Sequence, residues 1–421
     1  MPALPVITGK LALRALRLLG RSGNALPGLI VERTFPAYLS KTLSALPHGV
    51  VLVTGTNGKT TTTKMIATIL GRRFRVLTND TGSNFVRGAI GALVDSSSWA
   101  GKLDADIAVF ELDEAHAVKF VERHRPDHVL LLNVSRDQLD RFGEIDFTAS
   151  LLERVGQAAT ASVTLNADDE RLAAMAGRMN ADVHWFALSE EMQQHFPTDE
   201  ELYGDVETQP VPVGMDAVLE SYEATSGETT IDFEGDVRTV RLRTSGAHNA
   251  QNATAAAVVS RVAGLTVDEV TEGLAEVEPA FGRGQAYRID GRDVRMHLVK
   301  NPAGFRQSLQ AGLGEQPDRA TIIINDADAD GRDMSWLWDV PFVPLLDAGI
   351  PVTTGGVRAA DMAVRLKYEG LEVEYDRAEL APVVDEAIAR TPEGGRLAVF
   401  ASYTAMWGLF RHLETRSGGT A

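Results

Sequence analysis

The sequence predicts an α/β protein: a parallel-sheet nucleotide-binding domain carrying a β-rich insertion, followed by a second α/β domain of Rossmann-like kind. Three observations carry this. From residue 49 onward short apolar runs alternate with helical segments, the pattern of parallel strands joined by crossover helices. The run Val51–Val53 ends in the turn Gly55-Thr-Asn-Gly58, then Lys59, four threonines and a helical periodicity at Met65, Ile66, Ile69 and Leu70. At 421 residues, finally, the chain is long for one hydrophobic core, so two or three domains are expected.

The elements follow in order. Residues 1–45 form a helical lead-in, in which residues 9–22 mix leucines with Lys10, Arg14, Arg17 and Arg21. The arginines interrupt the apolar run, so this is a short basic amphipathic helix and not a secretory signal. It either packs on the core or touches an anionic membrane surface. Residues 46–285 form the nucleotide-binding domain, with strands at 51–53, 75–78, 107–111, 128–133 and 162–165 and a helix at 113–124. Residues 190–245 turn acidic, contain Pro197, Pro210 and Pro212, and then alternate over 228–243, which predicts an inserted β-hairpin. A helix over 249–263 and a linker near 279–286 lead into the second unit, 286–421. Its strands are expected at 294–299, 320–325, 351–354 and 396–401.

Composition narrows the function classes. Forty-one Lys and Arg against 58 Asp and Glu give a net charge of −17, which argues against broad nucleic-acid binding, where a basic surface must displace counterions. There is no cysteine, hence no disulfide, thiolate metal site or cysteine nucleophile of the chain's own. No apolar stretch reaches bilayer length, so a cytoplasmic protein is expected, peripheral at the inner membrane face if the basic helix docks there.

The strand–glycine turn–Gly-Lys-Thr–helix layout is that of a phosphate-binding loop. Backbone N–H groups of Thr56, Asn57, Gly58, Lys59, Thr60 and Thr61 face the anion, Lys59 reaches the terminal phosphates, and the Thr60 hydroxyl is placed to ligate Mg²⁺. The loop is a shortened variant, because Val53 stands where the common pattern has its first glycine. Glu111 ends an apolar strand, a position suited to holding Mg²⁺, while Asp113 and Glu114 suit either the metal or the cap of the next helix. Asn249 and Asn252 lie three apart on one helix face; their amides suit an adenine edge or a helix cap. Arg283, in the expected linker, is either a surface arginine or one that swings onto a γ-phosphate as domains close.

In one order, Gly55-Thr-Asn-Gly-Lys-Thr60, Glu111, Asp137-Gln-Leu-Asp140 with Gly143, Asn166, Gly246-x-His-Asn249-x-x-Asn252 and Phe281-Gly-Arg283 resemble the Mur ligase superfamily. Such enzymes activate a carboxylate as an acyl phosphate and join it to an amine. Gln138 stands where the family usually has histidine, and Leu152 falls near the place of the carbamylated lysine. The resemblance therefore implies ATP and one firm magnesium site, at Thr60 and Glu111. The four-cysteine zinc ribbon of many relatives is absent, so no zinc is expected.

Farther on, His297-Leu-Val-Lys-Asn-Pro-Ala-Gly304 and Asn325 through Asp339, with Asp330-Gly-Arg-Asp and Ser335-Trp-Leu-Trp-Asp, are similar to the amidating branch of that superfamily. The branch implies amidation of the α-carboxylate of D-glutamate in the lipid II stem peptide. Lys59 and Arg283 would then serve phosphoryl transfer, and ammonia would come from a GatD-type glutaminase subunit. It also implies that an aspartate completes the partner's catalytic triad: Asp339, with Asp330 and Asp333 as runners-up. Trp336 and Trp338 stand either in the core or against the partner. The alternative is a Mur- or folylpolyglutamate-type ligase that adds a whole amino acid.

Overall fold

The computed structural model describes residues 3–18, 25–79, 85–135, 145–196, 214–279 and 283–418. The lead-in is helical: α1 (Ala3–Leu18), α2 (Ala25–Thr34) and α3 (Tyr38–Leu43) precede β1 (Val50–Thr54) and α4 (Lys59–Leu70). Next come β2 (Val76–Thr78), α5 (Val86–Ser96), β3 (Ile107–Glu111), α6 (Glu114–Val121), β4 (His128–Leu131) and β5 (Ser162–Asn166). With β6 (Asp182–Leu188), β7 (Ala217–Tyr222), β8 (Glu228–Phe233) and β9 (Asp236–Arg241) they build one nine-stranded sheet in the order β2-β3-β1-β4-β5-β6-β7-β8-β9. Pairing is parallel from β2 through β7 and antiparallel across β7, β8 and β9.

Both faces of this sheet are covered. Val50 and Leu52 of β1 join one apolar cluster, with Ala108 and Phe110 of β3 and residues of α1, α2, α3 and α5. Val51 and Val53 join the other, with Ile107, Val109 and residues of α4 and the helix Ala247–Val262. That is the side-chain alternation of a pleated strand, and burial on both sides explains why β1 reads as an unbroken apolar run.

The second sheet holds β10 (Arg283–Ile289), β11 (Arg292–Leu298), β12 (Arg319–Ile323), β13 (Val352–Gly355), β14 (Val373–Arg377) and β15 (Arg396–Ala401), in the order β10-β11-β15-β12-β13-β14. Only β10 and β11 pair antiparallel. Ala320, Ile322 and Phe400 enter one cluster, and Ile323, Leu397 and Val399 the other, so this sheet too is buried on both faces.

One placement differs from the sequence reading. Residue Arg283 begins strand β10 and does not sit in a linker. The hairpin expected over 228–243 forms as β8 and β9 and prolongs the main sheet through β7. Residues 197–213 lie outside the described residues.

The join between β6 and β7 carries an ionic clasp. His184 Nδ1 lies 2.7 Å from Asp216 Oδ1, and Asp216 Oδ2 accepts the Trp185 N–H at 2.7 Å. The hydrogen bond to Asp216 raises His184 above the usual imidazole range. Burial pushes Asp216 up, but the bonds from His184 and Trp185 prevail and hold it below the usual carboxylate range. A raised histidine stabilises the fold at low pH and loses that contribution as pH rises through its folded pKa. A lowered aspartate stabilises above its unfolded pKa and loses that contribution as pH falls through its folded pKa. The clasp is therefore strongest between the two. Asp216→Asn is expected to lower the melting temperature by about 2 °C near pH 5.5, with the gap narrowing toward about pH 8. Thermal melts of both proteins across this range check it; a gap constant with pH contradicts it.

Candidate active site

Register places the site. Val53 of β1 is opposite Glu111 on β3 and Leu130 on β4, and Thr54 is opposite Leu131. Three neighbouring parallel strands thus end together, and the crevice beyond such ends is where open α/β sheets bind ligands. The turn after β1 needs its glycines. Gly55 has φ 131° and Gly58 φ 85°, in the region side chains disfavour, and a Cβ on Gly58 would lie 2.4 Å from Asn252 Oδ1. Asn133, just past β4, holds the turn. Its carbonyl accepts Thr56 N at 3.0 Å, its Oδ1 accepts Asn57 N at 2.8 Å, and its Nδ2 donates to the Asn57 carbonyl at 3.1 Å. Behind the turn α4 begins at Lys59, so the first amides of a 12-residue helix point into the crevice.

Lys59 is buried and folds back over the turn. Its Nζ donates to the carbonyls of Gly55 (2.5 Å) and Thr56 (3.2 Å) and lies 3.7 Å from Glu114 Oε1. Burial pushes the Glu114 carboxyl upward, and Lys59 pulls it back. Thr60 Oγ1 donates to Glu111 Oε1 at 2.9 Å. The Glu111 backbone is clamped by Asn79, whose Nδ2 donates to its carbonyl at 2.8 Å and whose Oδ1 accepts its N–H at 3.0 Å. A hydroxyl and a carboxylate side by side are hard oxygen donors that fit Mg²⁺, an ion commonly held by one or two protein oxygens together with substrate phosphates and water. Among the described residues no three His, Asp or Glu side chains gather into a larger metal group. Leu152 is fully buried in the apolar cluster and offers no ligand. Asp113 caps α6 through Ala115 N at 3.2 Å.

The second sheet closes the crevice. Past the end of β11, Lys300 Nζ donates to the Thr56 carbonyl at 3.0 Å, and Asn301 Nδ2 donates to Asn57 Oδ1 at 3.0 Å. Asn249 and Asn252 stand in the first turns of the helix Ala247–Val262, linked by Asn252 Nδ2 to Asn249 Oδ1 at 3.4 Å. Both line a cavity of about 90 Å³ with Asn57, Gly58, His248 and His297. His297 is buried, stacks on Phe400 at 5.3 Å between ring centroids, and is kept neutral by burial, with a pKa pushed down to about 3.

The structure therefore brings Thr56, Asn57, Gly58, Lys59, Thr60, Thr61, Glu111, Asn249 and Asn252 to one crevice. For Arg283 only the backbone position at the start of β10 is described. Asp137, Gln138, Asp140, Gly143 and Phe281 lie outside the described residues. Asn166 and Asp169 are tied into the strand ends: Asn166 Nδ2 donates to the Leu132 carbonyl at 3.3 Å, and Asp169 accepts Val134 N at 2.6 Å. Sequence reasoning offered Glu114 to the metal or a helix cap, whereas the structure sets it beside Lys59; Lys300 and Asn301 it did not single out. Lys300-Asn301-Pro302 after an apolar strand repeats the strand-end placement of the first loop, which was the available signal.

A second locus lies in the other sheet's loops. Asp330 is buried and saturated: it accepts Thr404 N at 2.7 Å, Thr404 Oγ1 at 2.5 Å and Ala327 N at 3.1 Å. Asp333 accepts Ser335 N at 2.9 Å, which lowers its pKa and starts the short helix Ser335–Asp339. Asp339 ends that helix half-buried. Arg365 braces its backbone, donating to the carbonyls of Leu337 (3.2 Å) and Val340 (2.7 Å) on either side. Trp336 is in the core, whereas Trp338 is 52% exposed, under the Arg365 guanidinium and against Tyr368.

Comparison with known proteins agrees with this geometry. The Mur ligase middle domain family matches residues 53–260, and the MurT ligase C-terminal family matches residues 298–406. The lipid II isoglutaminyl synthase (glutamine-hydrolyzing) subunit MurT of Streptococcus pneumoniae (strain ATCC BAA-255 / R6) is 30% identical over 96% of this chain and 95% of its own. The subunit of the same name from Staphylococcus aureus (strain COL) is 30% identical over 86% and 87%. Among solved structures, MurF from Acinetobacter baumannii superposes with TM-score 0.71 at 18% identity, covering 93% of this chain and 80% of that one. MurF ligase from Thermotoga maritima in complex with ADP gives 0.68 at 17%, covering 91% and 82%. The two structural likenesses concern the fold alone. Matched along both halves, and 30% identical to a relative almost end to end, this chain belongs to the Mur ligase family, in its MurT branch.

Proposed function

We propose that the chain is the ATP-dependent amidating subunit of a lipid II isoglutaminyl synthase, converting the α-carboxylate of the stem-peptide D-glutamate to the amide of D-isoglutamine. The observation that carries this reading is the 30% identity to the Streptococcus pneumoniae subunit over 96% of the chain. The crevice suits the chemistry. Phosphates would seat on the amides of Thr56 to Thr61, and Asn249 and Asn252 would face the base. Lys59 and Lys300 already sit over the loop, donating to the Thr56 carbonyl, and would turn their charge onto the phosphates. Thr60 and Glu111 would hold Mg²⁺, which supplies neutralisation of the charge that develops during transfer. Arg283 would add a further positive group.

In this account a carboxylate oxygen attacks the γ-phosphorus and ADP leaves, giving an acyl phosphate. Ammonia then attacks the acyl carbon. Nitrogen gives up a proton, and phosphate departs with the former carboxylate oxygen.

At neutral pH ammonium predominates, so ammonia must be delivered. A cysteine–histidine glutaminase is one source. This chain has no cysteine, so we assign the source to a partner subunit of GatD type. Asp339 is the residue assigned to the partner's histidine, as the acidic third member that orients an imidazole. Asp330 and Asp333, bonded to Thr404, Ala327 and Ser335, are the alternatives. The complex would work at the cytoplasmic membrane face, where its lipid-linked substrate lies.

Lys59→Ala is expected to lower amidation at least about a hundredfold with either glutamine or ammonium as nitrogen source. Single-turnover product formation checks this, and normal turnover contradicts the loop assignment. Asp339→Asn is expected to lower glutamine-dependent amidation at least about a hundredfold while leaving ammonium-dependent amidation within about twofold. Equal loss with both nitrogen sources would remove Asp339 from the partner's triad.

A further inference from the structure

The lead-in helix α1 has two unlike faces. Val6 and Leu13 are buried, and Gly9 lies so close to α2 and α5 that a Cβ there would sit 2.6 Å from Val94 Cγ1 and 3.0 Å from Val31 Cγ2. That face is cemented to the domain. At about 100° per residue the opposite face carries Leu4, Leu11 and Leu18. They are 61%, 56% and 89% exposed. A spacing of seven residues sets them in one stripe, drifting about 20° per repeat. Beside the stripe Trp99 is 41% exposed, with Arg14 Cζ 4.6 Å and Lys10 Nζ 5.7 Å from its ring centroid. An apolar stripe, a flanking tryptophan and adjacent cations form the cross-section of a helix lying in a membrane interface.

Charge selects the occupant. Residues 1–31 contain Lys10, Arg14, Arg17 and Arg21 and no acidic residue, the first being Glu32, although the whole chain carries −17. A second copy docking through the same face would oppose two such basic helices. An anionic bilayer instead neutralises the cations and takes up the leucines, while the rest of the acidic surface is kept off it. We propose that α1 is a peripheral membrane-docking surface, with Leu4, Leu11, Leu18 and Trp99 entering the headgroup–acyl boundary and Lys10 and Arg14 meeting anionic lipid headgroups. This deepens the proposed function, since a lipid-linked substrate is presented at such a surface, but its test is independent of that reading.

The test is co-sedimentation of the full chain with vesicles of phosphatidylcholine alone or phosphatidylcholine mixed with phosphatidylglycerol. Binding is expected to the mixed vesicles and to fall with added salt. The triple variant Leu4→Gln, Leu11→Gln, Leu18→Gln should partition about tenfold less, with little change in melting temperature because each of these residues is more than half exposed. Lys10→Gln with Arg14→Gln should lower binding to the mixed vesicles only. The blue shift of tryptophan emission on vesicle binding should shrink in Trp99→Phe. Absence of wild-type binding to the mixed vesicles, or equal binding by the triple variant, overturns the proposal. So does a wild-type dimer that the triple variant converts to monomer without vesicle binding, which would make a second copy the occupant. Amidation of detergent-solubilised lipid II by the wild type, with ATP and ammonium, separates the two readings: vesicle binding without any amidation would sink the enzymatic reading and leave this one standing.

Discussion

Gly58 holds a left-handed backbone with φ 85°, and the space a side chain would need is filled by the Asn252 amide. That single close approach presses the phosphate loop against the helix Ala247–Val262. The loop's other contacts follow from it. Asn133 satisfies the Thr56 and Asn57 amides from the strand side, while Lys300 and Asn301 reach the same two residues from the other sheet. Three separate parts of the chain thus converge on a turn of four residues. Each such hydrogen bond is worth only about 1 kcal/mol net; their value is positional, because transition-state stabilisation depends on donors already aimed where charge develops.

The charges in the crevice are arranged for exchange. A buried lysine is costly unless its ammonium is paired and hydrogen-bonded, and Lys59 meets that requirement with the Gly55 and Thr56 carbonyls and the Glu114 carboxylate. Thr60 and Glu111 likewise satisfy each other. These are partners that triphosphate oxygens and a divalent cation would replace like for like. The buried groups of the crevice are thereby paired with one another. In the Asp330–Asp339 segment, Asp330 ties its loop to Thr404, and Arg365 braces the backbone on both sides of Asp339.

Much of this was legible in the residues because it is local. β1 and β3 announce themselves as short apolar runs, since both their faces are buried, and Lys59, Thr60 and Glu111 follow strand ends directly. Strands β10 and β14 were missed, the former read as linker. Both are sheet edges, and Arg-Gly-Gln-Ala-Tyr-Arg-Ile and Val-Glu-Tyr-Asp-Arg are too polar to show the pattern of a doubly covered strand. β7 was hidden by the acidic, proline-bearing stretch before it. The contacts of Lys300, Asn301 and Glu114 with the loop were hidden for another reason. Their roles arise from packing of two sheets and from burial, neither of which leaves a spacing in the sequence.

The proposed chemistry turns on one step, activation of a carboxylate by phosphorylation in the crevice. The direct measurement is transfer of oxygen-18 from a labelled D-glutamate α-carboxylate during ATP-dependent amidation. An acyl phosphate predicts that one labelled oxygen leaves in the inorganic phosphate and that ADP is the nucleotide product. Label recovered in AMP, or phosphate free of label, would contradict it.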